Sequence, residues 1–156
     1  MKQDFTQLQL HSSYSLRDST INIDKLIKLA KKHKVKSLAI TDYLNMFAAI
    51  KFYQKCIDNN IKPIIGCQIP LKDRLSKHHL GSFVLLCQNI SGYKNLIKLI
   101  SQIHIQKKPN ENPGATIDQL KQYNDHILLL SGGRTGFLGN NLLTENPDKI
   151  INLTKL

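Results

Sequence analysis

The sequence has no tryptophan, and its aromatic side chains are five phenylalanines and five tyrosines among 156 residues. Cysteine is also scarce: Cys56, Cys67 and Cys87 are the only three, and no two of them have the Cys-x-x-Cys spacing that is typical of a structural zinc cluster. An odd number of cysteines argues against a disulfide framework as well. We therefore expect reduced thiols, most of them buried.

The chain lacks a long apolar run. No stretch reaches the roughly 18 consecutive apolar residues of a membrane-spanning helix, and the first residues lack the apolar segment of a secretory signal. A length of 156 residues with 41% hydrophobic and 21% charged residues suits one domain, or part of one, with a real core. We expect a cytoplasmic protein that makes no contact with a membrane.

Acidic residues are half as frequent as basic ones. Eleven Asp and Glu stand against 22 Lys and Arg, which gives a net charge of +11. Such an excess favours association with phosphate-rich polymers through counterion release, so direct contact with DNA is permitted. Most of the basic residues are lysines, however, and an AT-rich genome produces the same excess without selection for binding. Charge runs of this kind are usually solvated helix faces.

Short apolar segments alternate with amphipathic ones along the chain. The pattern predicts strands over residues 5–10, 37–41, 63–67, 83–87 and 127–130, and helices over residues 23–34, 46–58 and 92–105. Residues 71–82 form a basic loop or hairpin, and residues 106–115 a polar linker. Strands that are apolar on both faces and alternate with helices indicate an α/β fold with a parallel sheet, either open or rolled into a barrel.

The most informative motif runs from Gln9 to Asp18 and reads Gln-Leu-His-Ser-Ser-Tyr-Ser-Leu-Arg-Asp. Alternate residues of a strand point to the same face, so a His-x-His pair at a strand end can converge on a cation, with an Asp several residues later. Gln9 holds the first of these positions, while His11 and Asp18 hold the other two. The motif is therefore a metal-binding pattern from which one histidine is missing.

These residues resemble the PHP domain (polymerase and histidinol phosphatase) family, above all the PHP domains at the N-terminus of bacterial DNA polymerase III alpha subunits. Blocks in the family's order carry the same likeness over residues 37–46, 61–68, 83–89, 92–101 and 127–134. The resemblance implies part of a distorted (β/α)7 barrel, with parallel strands alternating with helices and the metal cluster at the strand C-termini. It also implies that residues 1–156 are only the N-terminal portion of that barrel, truncated at the C-terminus.

The resemblance also assigns the former ligand positions. Active members hold divalent cations such as zinc or manganese on His, Asp, Glu and sometimes Cys. The family's ligands are replaced here by Gln9, Tyr43, Gln68, Ser82 and Gly133, whereas His11 and Asp18 remain as residual metal ligands. Neutral amides and protonated phenols bind transition metals weakly. The resemblance thus implies a degenerate site without a resident cofactor, in which His11 and Asp18 hydrogen-bond to each other or to Gln9 and Gln68.

The function implied by the resemblance is that of a segment of the replicative DNA polymerase III alpha subunit, inactive by itself. The DNA-directed DNA polymerase (nucleotidyltransferase) site and its magnesium would lie elsewhere in the parent chain. In the family this domain docks the proofreading exonuclease subunit and supports the polymerase body, so the expected partners are that subunit, the rest of the alpha subunit and, through the complex, DNA. Two alternatives stay open: an autonomous metal-dependent phosphoesterase of the histidinol phosphatase type, and a basic nucleic-acid-binding module.

Other chemical candidates have a simpler structural interpretation. Asp42 follows a strand and is predicted to cap the next helix rather than to act as an acid or base. The Gly-rich turn from Ser131 to Gly136 resembles a phosphate cradle, although such turns are common. The pair His78 and His79 lies in a basic loop, where solvated histidines are the simpler interpretation.

Overall fold

The structure is a computed structural model that describes residues 5–72 and 79–144. In chain order its elements are α1 (Ile23–Lys32), β1 (Ser37–Ile40), α2 (Ala49–Asp58), β2 (Lys62–Lys72), β3 (His79–Cys87), α3 (Ile90–Ile105), α4 (Ile117–Gln122), β4 (Ile127–Leu130), a 3-10 turn (Gly133–Thr135) and α5 (Phe137–Thr144). The predicted α/β class is thereby confirmed. None of the described helices is long and apolar enough to cross a membrane.

The four strands form one mixed sheet in the order β1-β2-β3-β4. β1 and β2 are parallel, but β3 is antiparallel to both β2 and β4. The prediction of parallel strands alternating with helices is therefore wrong for the second half of the sheet. Residues 73–78 are all that separate β2 from β3, and a parallel pair needs a crossover of about a dozen residues or more. The described residues at both ends of the basic segment 71–82 are thus paired strand residues of a hairpin, the second of its two predicted forms.

The N-terminal segment lies beside β1 without forming a regular strand. Ala39 N donates to Gln7 O at 3.1 Å, and Thr41 N donates to Leu10 O at 2.8 Å. The side chain of Thr41 takes part in this pairing, because its Oγ1 accepts from Leu10 N at 2.9 Å. The strand predicted over residues 5–10 is therefore an extended segment that follows the sheet edge and brings Gln9 and His11 to the end of β1.

Two hydrophobic clusters hold the layers together. One joins α1, α2 and β1 and is centred on Phe52 and Ile27; the other joins β2, β3 and α3 and is centred on Leu85 and Leu99. A side-chain cap marks the start of α1, where Asn22 Oδ1 accepts from Asp24 N at 2.9 Å. These packed layers fix the strand ends at which the polar residues of the motif meet.

The cysteines are free, as expected. Cys56 and Cys67 are buried and Cys87 is half-buried. Burial raises the pKa of the Cys56 and Cys87 thiols to about 11, and it raises the pKa of Cys67 further still. All three thiols are therefore protonated near neutral pH.

Candidate functional site

The pairing of β1 with β2 continues past the end of β1 and brings two predicted positions side by side. Gln68 N donates to Asp42 O at 3.0 Å, and Leu44 N donates to Gln68 O at 3.0 Å. Tyr43 and Gln68 consequently form an isolated parallel bridge. The two residues come from distant parts of the sequence, yet the parallel register sets them at one edge of the sheet.

The Gln68 side chain connects four of the predicted positions. Its Oε1 accepts from Gln9 Nε2 at 2.8 Å and lies 2.8 Å from His11 Nε2, and its Nε2 donates to Ser82 Oγ at 2.9 Å. With the amide in this orientation its oxygen can only accept, so His11 carries its proton on Nε2. The expected hydrogen bond between His11 and Gln68 is therefore present. We call Gln9, His11, Gln68 and Ser82 the Gln68 network.

Tyr43 and Asp18 lie outside this network. Tyr43 is half-buried, and its pKa is raised first by burial and then by electrostatic interaction with Asp18 and Cys67. Asp18 is exposed, and within the described ranges its carboxylate accepts no hydrogen bond. The expected bond from Asp18 to His11, Gln9 or Gln68 is therefore missing.

The turn that contains Gly133 packs beside Ser82. Ser82 and Gly136 form an isolated bridge, and a Cβ on Gly132 would lie 2.7 Å from Ser82 O. Gly132 and Gly133 have φ angles of 78° and 66°, which favour glycine. A Cβ on Gly133 would meet no atom within 4 Å, so a larger side chain would have space there, although with backbone strain. Phosphate binding by this turn stays a prediction.

Asp42 does not cap α2, so that prediction is wrong. The helix begins at Ala49 after an Ala48 cap without a side-chain hydrogen bond. Asp42 is instead 2% exposed and accepts from Ser12 N at 2.6 Å, Ser12 Oγ at 2.7 Å and Ser15 Oγ at 2.7 Å. These bonds fix the loop after His11 against the end of β1. We call Asp42, Ser12 and Ser15 the Asp42 cluster, which sequence reasoning missed.

The other histidines do not join these groups. His104 Nε2 donates to Leu44 O at 3.0 Å, and His126 Nε2 lies 3.6 Å from Asp125 Oδ2. His79 is a residue of β3 and pairs with Lys72, whereas His78 lies outside the described residues. Across residues 5–72 and 79–144, no three His, Cys, Asp or Glu side chains are grouped so that they could hold a metal ion.

Comparison with known proteins identifies relatives over almost the whole chain. The model of the PHP domain family matches residues 7–155. The chain is 31% identical over 146 residues to the DNA polymerase III subunit alpha of Haemophilus influenzae, and 38% identical over 143 residues to that of Buchnera aphidicola subsp. Schizaphis graminum. These matches cover 94% and 90% of this chain but only 12% of each relative.

The fold also resembles a solved structure. An amidohydrolase from Chromobacterium violaceum, with bound sulfate and no metal, superposes with a TM-score of 0.51 at 18% sequence identity. The superposition covers 64% of this chain and 33% of the other. At this level of identity the likeness concerns the fold alone.

Proposed function

The chain belongs to the PHP domain family, and we propose that it is the N-terminal segment of the alpha subunit of a bacterial replicative DNA polymerase III. Its matches to alpha subunits over 90% or more of its own length support this assignment. In such a parent chain the nucleotidyltransferase site and its magnesium would lie elsewhere, and the setting would be DNA replication in the cytoplasm. The segment alone would synthesise no DNA.

The proposal includes a metal site that has become a polar network without catalytic function. The observation that carries it is that Gln68 Oε1 faces two donors, Gln9 Nε2 and His11 Nε2, at 2.8 Å each. A metal ligand must direct a lone pair at the cation, and here the lone pairs of the amide oxygen and the proton of His11 face one another. The neutral amides and the protonated Tyr43 do not fit a cluster of divalent cations.

A longer chain is part of the same proposal. β4 and the segment 5–9 line an open groove of about 710 Å³ together with the Gly132 turn. We infer that further strands of a complete polymerase subunit occupy this groove and close the distorted (β/α)7 barrel. The small share of the relatives that this chain spans is consistent with that inference.

Docking of the proofreading exonuclease subunit is the role that we assign to the surface. Ile50, Tyr53 and Ile90 are 77%, 51% and 65% exposed and line an apolar groove of about 530 Å³ between α2 and the start of α3. Exposed apolar surface of this kind marks a protein contact. We expect the Ile50→Glu/Ile90→Glu variant to lose binding to the exonuclease subunit in titration calorimetry, whereas Ile105→Glu, at a site 75% exposed and outside the groove, retains it. Equal binding by both variants would contradict this docking surface.

The metal content of the purified protein tests the vestigial site. We expect almost no zinc or manganese by elemental analysis after purification without chelator, and no phosphoesterase turnover with added manganese. The variant Gln9→His/Tyr43→His/Gln68→Glu restores three family ligands and should gain metal. Stoichiometric metal with hydrolysis in the unaltered chain would refute the vestigial site and favour the phosphoesterase alternative.

A further inference from the structure

We propose that a lysine patch on α1 binds the phosphate backbone of duplex DNA. The patch comprises Lys25, Lys28, Lys31, Lys32 and Lys34, all of which are exposed. It follows the outer face of α1 and ends in the turn that leads to β1. The contact goes beyond subunit docking, because it assigns a nucleic-acid ligand to this segment itself.

The spacing of the patch suits a polyanion with regular charges. Lys25, Lys28 and Lys32 recur at intervals of three and four residues, so they share one side of the helix. At 1.5 Å per residue, the first and last of these lie about 10 Å apart along the axis. Duplex DNA carries a negative charge about every 1.7 Å of its axis, so each ammonium group can reach a phosphate.

The patch is also poor in neutralising charge. The sequence has a single acidic residue from Lys25 to Ile57, namely Asp42, which is buried and bonded to Ser12 and Ser15. Asp24 at the start of α1 pairs with Lys51 and Lys55 of α2 at 3.3 and 3.0 Å. Within the part of the chain that the structure describes, no carboxylate pairs with the five lysines of the patch. The positive charges of these lysines are therefore open to solvent.

Helix stability accounts for only part of this arrangement. Lys31 and Lys32 lie in the last turn of α1, where cations interact favourably with the helix dipole. Lys25 lies in the first turn, where a cation is unfavourable, and Lys28 lies between the two ends. The helix dipole therefore does not account for Lys25 and Lys28, whereas a phosphate contact along the helix uses both.

Salt-dependent binding of a labelled duplex of about 20 base pairs tests the proposal with the 156-residue chain. If five phosphates are contacted, the affinity should fall about 500-fold between about 50 and 200 mM salt, from a slope of about −0.9 per phosphate. For Lys25→Gln/Lys28→Gln/Lys32→Gln, with two contacts left, the fall should be only about 12-fold. Fluorescence anisotropy measures both values.

The matched control is Lys94→Gln/Lys98→Gln/Lys107→Gln, which removes the same charge from exposed lysines on and just after α3. It should retain the 500-fold dependence. Glutamine and lysine have similar helix propensities, and circular dichroism verifies that both variants fold. An equal loss in both variants would mean that net charge alone attracts DNA and would overturn the proposal.

Two further outcomes would also overturn the patch as a DNA site. Polyglutamate of similar length that binds as tightly as DNA at the same salt concentration would indicate an acidic protein ligand. A salt dependence of the unaltered chain that corresponds to about one phosphate or fewer would leave the patch as a solvated face.

Discussion

The Asp42 cluster and the Gln68 network lie next to each other at the end of β1, yet they are built in opposite ways. Asp42 is buried and accepts three short hydrogen bonds from one loop. The Gln68 network is partly exposed and joins polar side chains from the N-terminal segment, β2 and β3. One backbone hydrogen bond, from Gln68 N to Asp42 O, connects the two.

The difference indicates that burial determines which polar side chains the fold requires and which can be replaced. A buried carboxylate is costly unless donors surround it, so the Asp42 cluster dictates one loop conformation. Neutral amides near solvent can exchange their partners for water at little cost. We therefore expect replacements in the Gln68 network to lower the stability of the fold only slightly, and replacement of Asp42 to lower it much more.

Replacement of Asp42 should give the largest effect. In Asp42→Ala, Ser12 and Ser15 lose the acceptor for three donors, so we expect the free energy of unfolding to fall by about 3 to 5 kcal/mol. Urea denaturation followed by circular dichroism measures the change. A loss below about 1 kcal/mol would mean that water replaces the carboxylate and that the cluster does not dictate the loop.

Replacement of Gln68 should give a smaller effect. Gln68→Ala removes three hydrogen bonds, but its partners are within reach of water, so we expect a loss of about 1 to 2 kcal/mol in the same denaturation experiment. Gln54→Ala is the control. Among the described residues, the side chain of exposed Gln54 bonds only to Asp58 of its own helix, so its loss should change stability by about 0.5 kcal/mol or less. A larger effect for Gln68 than for Asp42 would reverse the distinction between the two groups.

The backbone of Tyr43 lies beside both groups, since its N–H donates to Ser15 Oγ at 2.9 Å and the residue forms a bridge with Gln68. Its side chain should respond to alkaline pH. Burial and the neighbouring Asp18 and Cys67 raise its pKa, so the folded state holds the phenol proton more tightly than the unfolded state does. Its contribution to stability is present below the ordinary value of about 10 and is lost as the pH rises further. Ultraviolet titration should show one of the five tyrosines ionising late. Tyr43→Phe should lack that late step, and its persistence in the variant would assign it to another tyrosine.

The smallest effect is expected at Asp24, which belongs to neither group. Hydrogen bonds from Lys55 and then Lys51 lower the pKa of this carboxyl. The resulting stability is present above the unfolded value and is lost as the pH falls through the lower folded value. The stability curves of the unaltered chain and Asp24→Asn should therefore separate slightly near neutral pH and converge in acid. High salt should reduce the separation, because exposed charges are screened.

Local patterns in the sequence predicted those parts of the fold that depend on neighbouring residues. The periodicity and caps of α1 and α3 gave their positions to within two residues. The polar ends of β2 and β3 looked like a loop, because their strand conformation comes from pairing with each other. The antiparallel direction of β3 follows from the small number of residues between it and β2, too few for a crossover, and apolar patterning does not report direction. The short helices α4 and α5 were not predicted.

Sequence reasoning likewise predicted one part of the candidate site and missed another. The resemblance to a family brought together Gln9, His11, Gln68 and Ser82, which meet in the structure. The role of Asp42 was missed because its donors, Ser12 and Ser15, lie 30 and 27 residues away in the sequence. A Thr-Asp pair after an apolar strand fits both a cap and a loop anchor, and only the tertiary fold distinguishes them.

The β2–β3 hairpin also bears on the order in which the chain folds. The hairpin pairs residues that lie close to each other in the sequence, from Lys72 with His79 to Gly66 with Leu86. Its formation therefore closes short loops. β1 reaches β2 only through α2, and β4 reaches β3 only after α3 and α4. Closure entropy grows with loop length, and an isolated hairpin forms in about 1 to 10 µs. The hairpin would then be the earliest part of the sheet to form, and the outer strands would add to its two edges.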